Sequence, residues 1–156
     1  MKTLEQQVQE LTDREEIKEL TAQYAHGVAR GEGAKVAALF TDDGVFTNRF
    51  NSTDPPTRVQ GREALDKFYT NIKRNTALPC IHNHLITIDG DQATGTCSIE
   101  VRITLKNQSM IGSGYYEDRF RRENGRWKFA ERHCTFFHFV PLQQGWVEAP
   151  ADKSKQ

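Results

Sequence analysis

The sequence predicts an α+β fold in which helices come first along the chain and pack over the apolar face of a strongly twisted antiparallel sheet. Apolar residues recur every three or four positions before Pro79, which indicates helices, and at every second position after it, which indicates strands. Hairpin turn signals separate these strands. The length of 156 residues suits one domain. We expect the domain to span residues 1–147 and a disordered tail to follow at residues 148–156.

The first half of the chain carries the helical signals. Leu4, Val8 and Leu11 form one stripe, and Thr12 with Glu15 resembles a capping box that would open a second helix. The buried face predicted for that second helix consists of Ile17, Leu20, Tyr24 and Val28. A short helix near residues 34–40, a turn at 41–44 and a third helix from residue 61 are predicted to follow.

The second half of the chain is predicted to form four long strands. The turn signals between them are Asp89-Gly90-Asp91, a polar turn near Asn107-Gln108, and Asn124-Gly125. The clearest strand, residues 93–105, alternates apolar with polar side chains. One face of the sheet is therefore expected to be in contact with solvent or only lightly packed.

The charge balance argues against a polyanionic partner. Lysine plus arginine and aspartate plus glutamate both number 21, so no long-range field would attract nucleic acid or an acidic membrane surface. The sequence contains no stretch of 18 apolar residues, and residues 1–11 lack the apolar run of a signal peptide. We therefore expect a cytoplasmic protein that has neither nucleic acid nor a membrane as a partner.

Two histidines mark the candidate site. His82 and His84 lie in a strand-like run, where period-two geometry would direct both toward the face that carries Ile86 and Ile88. An imidazole that faces an apolar pocket is suited to proton transfer, because its ordinary pKa lies close to working pH.

A metal site is an alternative for the same two histidines. A third ligand would have to come from His26, His133, His138 or a carboxylate, and the sequence shows no other ligand cluster. The cysteines, Cys80, Cys97 and Cys134, are odd in number and widely separated, so we expect reduced thiols rather than disulfides or a zinc ribbon. We expect neither a metal nor a cofactor.

Four segments together carry a family resemblance: residues 39–46, residues 80–82, residues 89–93, and residues 124–129 leading to Arg132. On these segments the chain resembles the SnoaL-like, nuclear-transport-factor-2-like proteins, a group that includes polyketide cyclases, scytalone dehydratase and hexachlorocyclohexane dehydrochlorinase. The resemblance implies a cone-shaped roll of curved sheet with the N-terminal helices over its concave face. It is less specific for reaction, because this scaffold hosts lyases, isomerases, cyclases and binding proteins.

The resemblance to the dehydrochlorinase implies a catalytic imidazole at His82, a polar helix residue facing the cavity at Tyr24, and a cation at Arg132. The residues that we expect to bind substrate are Val28, Phe40, Phe46, His84, Tyr116 and Phe136. In the family an aspartate orients the imidazole, and the aligned residue is Ala29. Glu32, Asp118 or the Tyr24 hydroxyl would have to replace that aspartate.

The leading functional expectation is a cofactor-free lyase, isomerase or cyclase that transfers a proton on a small hydrophobic, cyclic or polyketide-like substrate. The alternative is a non-catalytic protein that binds such a ligand, in which Ala29 reflects the loss of catalysis. A third interpretation is an assembly domain that uses the exposed sheet face. Dimers and trimers are common in the resembling family, which implies a homodimer or homotrimer for either function.

Overall fold

The protein consists of three helices and six strands, as seen in a computed structural model that describes residues 1–50 and 55–143. The predicted tail at residues 148–156 lies outside the described residues. In chain order the elements are α1 (Leu4–Arg30), α2 (Gly33–Ala38), β1 (Phe40–Arg49), β2 (Thr57–Gln60), α3 (Arg62–Thr70), β3 (Ala77–Asp89), β4 (Gln92–Leu105), β5 (Gln108–Glu123) and β6 (Arg126–Pro141).

All six strands belong to one sheet, in the order β2-β1-β6-β5-β4-β3. The four predicted strands are confirmed as the antiparallel meander β3 to β6, with hairpin turns at Gly90, at Asn107 and at Asn124-Gly125 in the left-handed backbone region. The first strand, β1, pairs in parallel with β6, which the sequence pattern did not reveal. The predicted α+β class is confirmed.

The first helix is continuous over Leu4–Arg30, so the prediction of two helices divided at Thr12 is wrong. The capping box lies at Thr3, whose hydroxyl accepts from the Gln6 backbone N–H at 3.2 Å while its own N–H donates to the Gln6 side chain at 2.9 Å. The Thr12 hydroxyl donates to the Val8 carbonyl at 3.0 Å. Because a threonine hydroxyl can make this hydrogen bond inside a helix, Thr12 does not mark the start of a helix here.

The predicted turn at residues 41–44 is also wrong, because these residues belong to β1. The register between β1 and β6 shifts between Phe40 and Val45, which indicates a bulge where the turn was expected.

Asp13 of α1, which is 3% exposed, connects this helix to the sheet through hydrogen bonds. Its Oδ1 accepts hydrogen bonds from Arg122 Nη2 at 2.7 Å, from Trp127 Nε1 at 3.1 Å and from Gln9 Nε2 at 3.0 Å. Burial alone would raise the pKa of Asp13, but these hydrogen bonds outweigh it and the pKa is lowered. Further along α1, Ile17, Leu20, Tyr24 and Val28 are buried in the hydrophobic core together with residues of the sheet, as predicted.

Within the described ranges, none of the helices is both long and apolar enough to cross a membrane.

Candidate functional site

A bulge at Asn83 decides which histidine faces the interior. Asn83 has φ 57°, and the register between β3 and β4 shifts between His82 and Leu85. His82 pairs with Ser98 and is exposed, whereas His84 is half-buried. The expectation that both imidazoles face the same way is wrong, because alternation with period two holds only where no residue is inserted. The exposed His82 therefore does not lie in the interior of the fold.

The inward histidine, His84, lines a cleft of about 460 Å³ between α1 and β3. The α1 side of the cleft consists mostly of small residues: Lys18, Thr21, Ala22, Ala25, His26 and Ala29. The sheet side is largely apolar, with two charged residues: Leu78, Pro79, Cys80, Ile81, His84, Glu100, Val101, Arg102 and Ile111. The cleft therefore combines apolar walls with a few polar groups, which is typical of small-molecule sites.

The His84 imidazole is available for hydrogen bonding. Its Nε2 atom is buried and has no hydrogen-bond partner among the described residues. The pKa of His84 is lowered, first by burial and then by the charges of Arg132, Lys18 and His82. Its ring is therefore neutral at working pH, so one ring nitrogen can accept a proton and the other can donate a hydrogen bond.

Five of the residues expected to face a cavity do line one space under the sheet: Tyr24, Val28, Phe46, Tyr116 and Phe136. This interior cavity has a volume of only about 100 Å³, which corresponds to a few water molecules at about 30 Å³ each. Pro79 and Val101 line both this cavity and the cleft, so the two spaces adjoin there. Phe40 is fully buried and packs against Phe129 and Tyr69 in the core.

Arg132 is fully buried beside the interior cavity. Its guanidinium carbon lies 4.3 Å from the centre of the Tyr24 ring and 3.7 Å from that of Tyr116. Its Nε atom lies 3.4 Å from Asp118 Oδ1, and its Nη2 contacts Cys97 Sγ at 3.7 Å. Nη1 has no hydrogen-bond partner within the described part of the chain. The cation is thus held mainly by rings and by one carboxylate.

The buried acids near Arg132 have raised pKa values. Burial raises the pKa of Asp118 to about 6, although the charge of Arg132 opposes this. Burial also raises the pKa values of Tyr24, Tyr69 and Tyr116, so their hydroxyls stay protonated. The Tyr69 hydroxyl donates to the Tyr24 hydroxyl at 3.2 Å.

The position of the family's aspartate, Ala29, lies in the same cleft as His84. None of the three suggested replacements hydrogen-bonds His82 or His84 among the described contacts. Glu32 pairs with Lys35 at 3.1 Å, Asp118 pairs with Arg132, and the Tyr24 hydroxyl bonds that of Tyr69. Glu100 lines the cleft, but no described hydrogen bond joins it or any of these three residues to His84, so no described carboxylate orients this imidazole.

A metal site at the two histidines finds no support in the geometry. Within residues 1–50 and 55–143, no three His, Cys, Asp or Glu side chains come together as a metal site requires. His133, one of the suggested third ligands, instead hydrogen-bonds Thr47 and Glu131 through its two ring nitrogens, each at 2.8 Å.

Two residues that shape the site were missed from the sequence. Asn83 creates the bulge, and its signal was available, since asparagine is enriched in the left-handed region among non-glycine residues. Tyr69 is buried on α3, four residues after buried Leu65, a helical spacing that predicts a shared face.

Comparison with known proteins places this geometry in a family. The profile of the SnoaL-like domain matches residues 9–133. The chain is similar in structure to Rv3472, a protein of unknown function from Mycobacterium tuberculosis, at 27% identity over 91% of this chain and 87% of that one, with a TM-score of 0.70. No curated protein matches the sequence.

Two further solved structures share the fold. A hexachlorocyclohexane dehydrochlorinase, LinA type 2, has 21% identity over 94% of this chain and 99% of that one, with a TM-score of 0.76. A Novosphingobium aromaticivorans protein provisionally assigned as a scytalone dehydratase has 20% identity over 94% and 97%, with a TM-score of 0.74. These likenesses confirm the expected cone-shaped roll. The chain belongs to the SnoaL-like domain family.

Proposed function

We propose that the protein binds a small, mainly apolar molecule in the cleft between α1 and β3 and transfers a proton on it through His84, without a cofactor. Two observations carry this proposal: the residue His84 lines the cleft, and its buried Nε2 atom lacks a described hydrogen-bond partner. A buried polar atom without a partner gains free energy when a ligand supplies one.

The protonation state of His84 supports a role as a base. Its lowered pKa leaves the ring neutral, so it can accept a proton without first losing one. His84 thus takes the role that the sequence suggested for His82, whose exposed position is unsuited to it.

Tyr24 completes the proposed site from the adjoining cavity, and Arg132 does so from the core beside that cavity. The protonated Tyr24 hydroxyl can donate to a substrate oxygen that reaches past Pro79 and Val101. Arg132 lines neither space and acts through its positive charge, which favours negative charge that develops nearby in a low-dielectric interior. Two of the relatives bear the names of a dehydrochlorinase and a dehydratase, so elimination is the reaction class that the proposal favours.

The test uses a small enolisable ketone, 2-tetralone, in deuterated buffer. Exchange of its protons next to the carbonyl is followed by proton NMR with wild type, H84Q and the matched control H82Q. We expect wild type and H82Q to accelerate exchange over buffer, and H84Q to lose about 100-fold or more of that acceleration. Equal acceleration by H84Q would overturn the assignment of His84.

Binding without catalysis is the second candidate, and it is favoured by Ala29, which offers no carboxylate to His84, while no described hydrogen bond joins the ring to Glu100, the carboxylate that lines the cleft. Under this candidate 2-tetralone shifts the NMR signals of cleft residues, but wild type exchanges its protons no faster than buffer. The same experiment therefore separates the two functions.

A further inference from the structure

One stripe of residues along α1 has an uninterrupted heptad spacing. The positions alternate in steps of four and three: Leu4, Val8, Leu11, Glu15, Lys18, Ala22, Ala25 and Ala29. The stripe is exposed from Leu4 to Lys18, and its three alanines line the cleft between α1 and β3. It is separate from the face of Ile17, Leu20 and Tyr24, which lies in the core. A heptad pattern is typical of a helix that packs against a second helix.

The first part of the stripe is apolar and unburied. Leu4, Val8 and Leu11 are 77%, 53% and 63% exposed, and residues 1–9 are all exposed. The capping box at Thr3 nevertheless fixes the start of the helix. Apolar side chains in a row on a well-capped helix indicate a surface that is covered in solution.

The stripe is complementary to itself when a second copy of α1 runs antiparallel to it. A two-fold axis between residues 16 and 17 places Leu4 opposite Ala29, Val8 opposite Ala25, and Leu11 opposite Ala22 of the second copy. Each large side chain then meets a small one. The helices, each of 27 residues and so roughly 40 Å long, can approach closely along this line.

The two charged residues of the stripe also favour the antiparallel arrangement. Glu15 and Lys18 lie at its centre and pair within one chain at 2.6 Å. In the antiparallel arrangement Glu15 faces Lys18 of the second copy, and Lys18 faces Glu15. In a parallel, in-register arrangement like charges would face each other, which is destabilising.

We infer that the protein forms a symmetric dimer through antiparallel pairing of α1 with α1 of a second copy. The pairing also bears on the cleft, because Ala22, Ala25 and Ala29 line it. Leu4, Val8 and Leu11 of the second copy then form part of the cleft wall. The dimer does not depend on the proposed function, but its role in closing the cleft rests on that proposal.

Charge reversal in the 156-residue chain tests the dimer. E15K puts two cations at the centre of the stripe and K18E puts two carboxylates there, so each variant alone should dissociate at least about tenfold more readily. An equal mixture of the two variants should form a heterodimer, because every facing pair is then opposite in charge. The matched control E16K makes the same charge change on an exposed residue beside the stripe and should remain a dimer.

Native mass spectrometry and sedimentation equilibrium at 1–100 µM provide the readout. A monomeric wild type would overturn the inference, as would a dimer that E15K and K18E leave unchanged, since that would place the interface elsewhere. Circular dichroism checks that the variants are folded.

Alkylation of Cys80 tests the cleft wall without a known ligand. Cys80 lines the cleft and is exposed, whereas the other two cysteines are buried. With iodoacetamide, Cys80 should react several-fold faster in E15K than in wild type or E16K. An equal rate despite dissociation would show that the second copy does not cover the cleft, and it would leave the proposed function of His84 untouched.

Discussion

Asp118 and Arg132 face each other across β5 and β6 with Oδ1 and Nε 3.4 Å apart, and the two side chains are 2% and 0% exposed. Burial raises the pKa of Asp118 from 3.8 to about 6 in the fold. Between these values the folded state binds more protons than the unfolded state. The free energy of unfolding contributed by Asp118 therefore falls as the pH rises from about 4 to about 6.

We expect D118N to remove this contribution. The difference in unfolding free energy between wild type and D118N should fall by roughly 2 to 3 kcal/mol between pH 4.5 and pH 7.5 in urea titrations. D118N also leaves the buried Arg132 cation without a charged partner, a loss that is present at both pH values, so the change between the two pH values is the quantity that tests Asp118. A stability difference that stayed constant between pH 4.5 and pH 7.5 would contradict the raised pKa of Asp118.

Asp13 should show the opposite pH dependence. Its pKa is lowered in the fold, so its contribution to stability is complete above its ordinary value of 3.8 and is lost as the pH falls through the lower folded value. D13A should cost about 3 kcal/mol at pH 7, because Trp127 and Arg122 each lose a buried acceptor. D91N removes an exposed partner of the same Arg122 and should change stability by less than about 1 kcal/mol. Comparable losses in both variants would contradict the proposed anchoring role of Asp13.

The bulge at Asn83 should depend on its left-handed backbone conformation. N83G should stay within about 1 kcal/mol of wild type, because glycine adopts positive φ readily. N83V should lose about 1–2 kcal/mol, because a β-branched residue is disfavoured there. Thermal and urea unfolding measure both variants. Equal stability of the two would mean that the bulge relaxes without cost.

Gly33 should not tolerate a side chain. A Cβ at this position would lie 2.4 Å from the Thr70 backbone nitrogen and 2.5 Å from the Tyr69 carbonyl carbon, where α2 meets α3. G33A should therefore destabilise the protein by about 2–3 kcal/mol in urea unfolding. The control G90A has open space around its Cβ and should cost only about 1 kcal/mol, from its positive φ. A milder effect of G33A than of G90A would show that α2 shifts freely.

The fold was more predictable from the sequence than the site. Alternation after Pro79 and the turn residues at Gly90 and Asn124 are local signals, and they identified the meander. The parallel pairing of β1 with β6 joins distant segments, so no local pattern reports it. The sequence wrongly predicted a helix start at Thr12, because a threonine hydroxyl can cap the start of a helix but can also donate to a backbone carbonyl within it.

The prediction of the site was wrong at the point where one inserted residue changed which histidine faces the interior. The prediction for His82 assumed regular alternation of side chains along the strand. Because of the bulge at Asn83, His84 faces the interior instead of His82. The predicted cavity residues Tyr24, Phe46 and Tyr116 do come together, because their helical and strand spacing fixes the inward face. Their spacing does not reveal how completely the interior is filled, since this depends on side chains from every element at once.

The position of β1 beside β6 has a consequence for the order of folding. Strands β3 to β6 can form by successive hairpins, whereas the pairing of Phe40 with Phe129 must wait until the last strand exists. The β2–β1 edge is therefore expected to assemble late and to open first. In native-state hydrogen exchange, its amides should lose protection at lower free energy than those of the central strand β5.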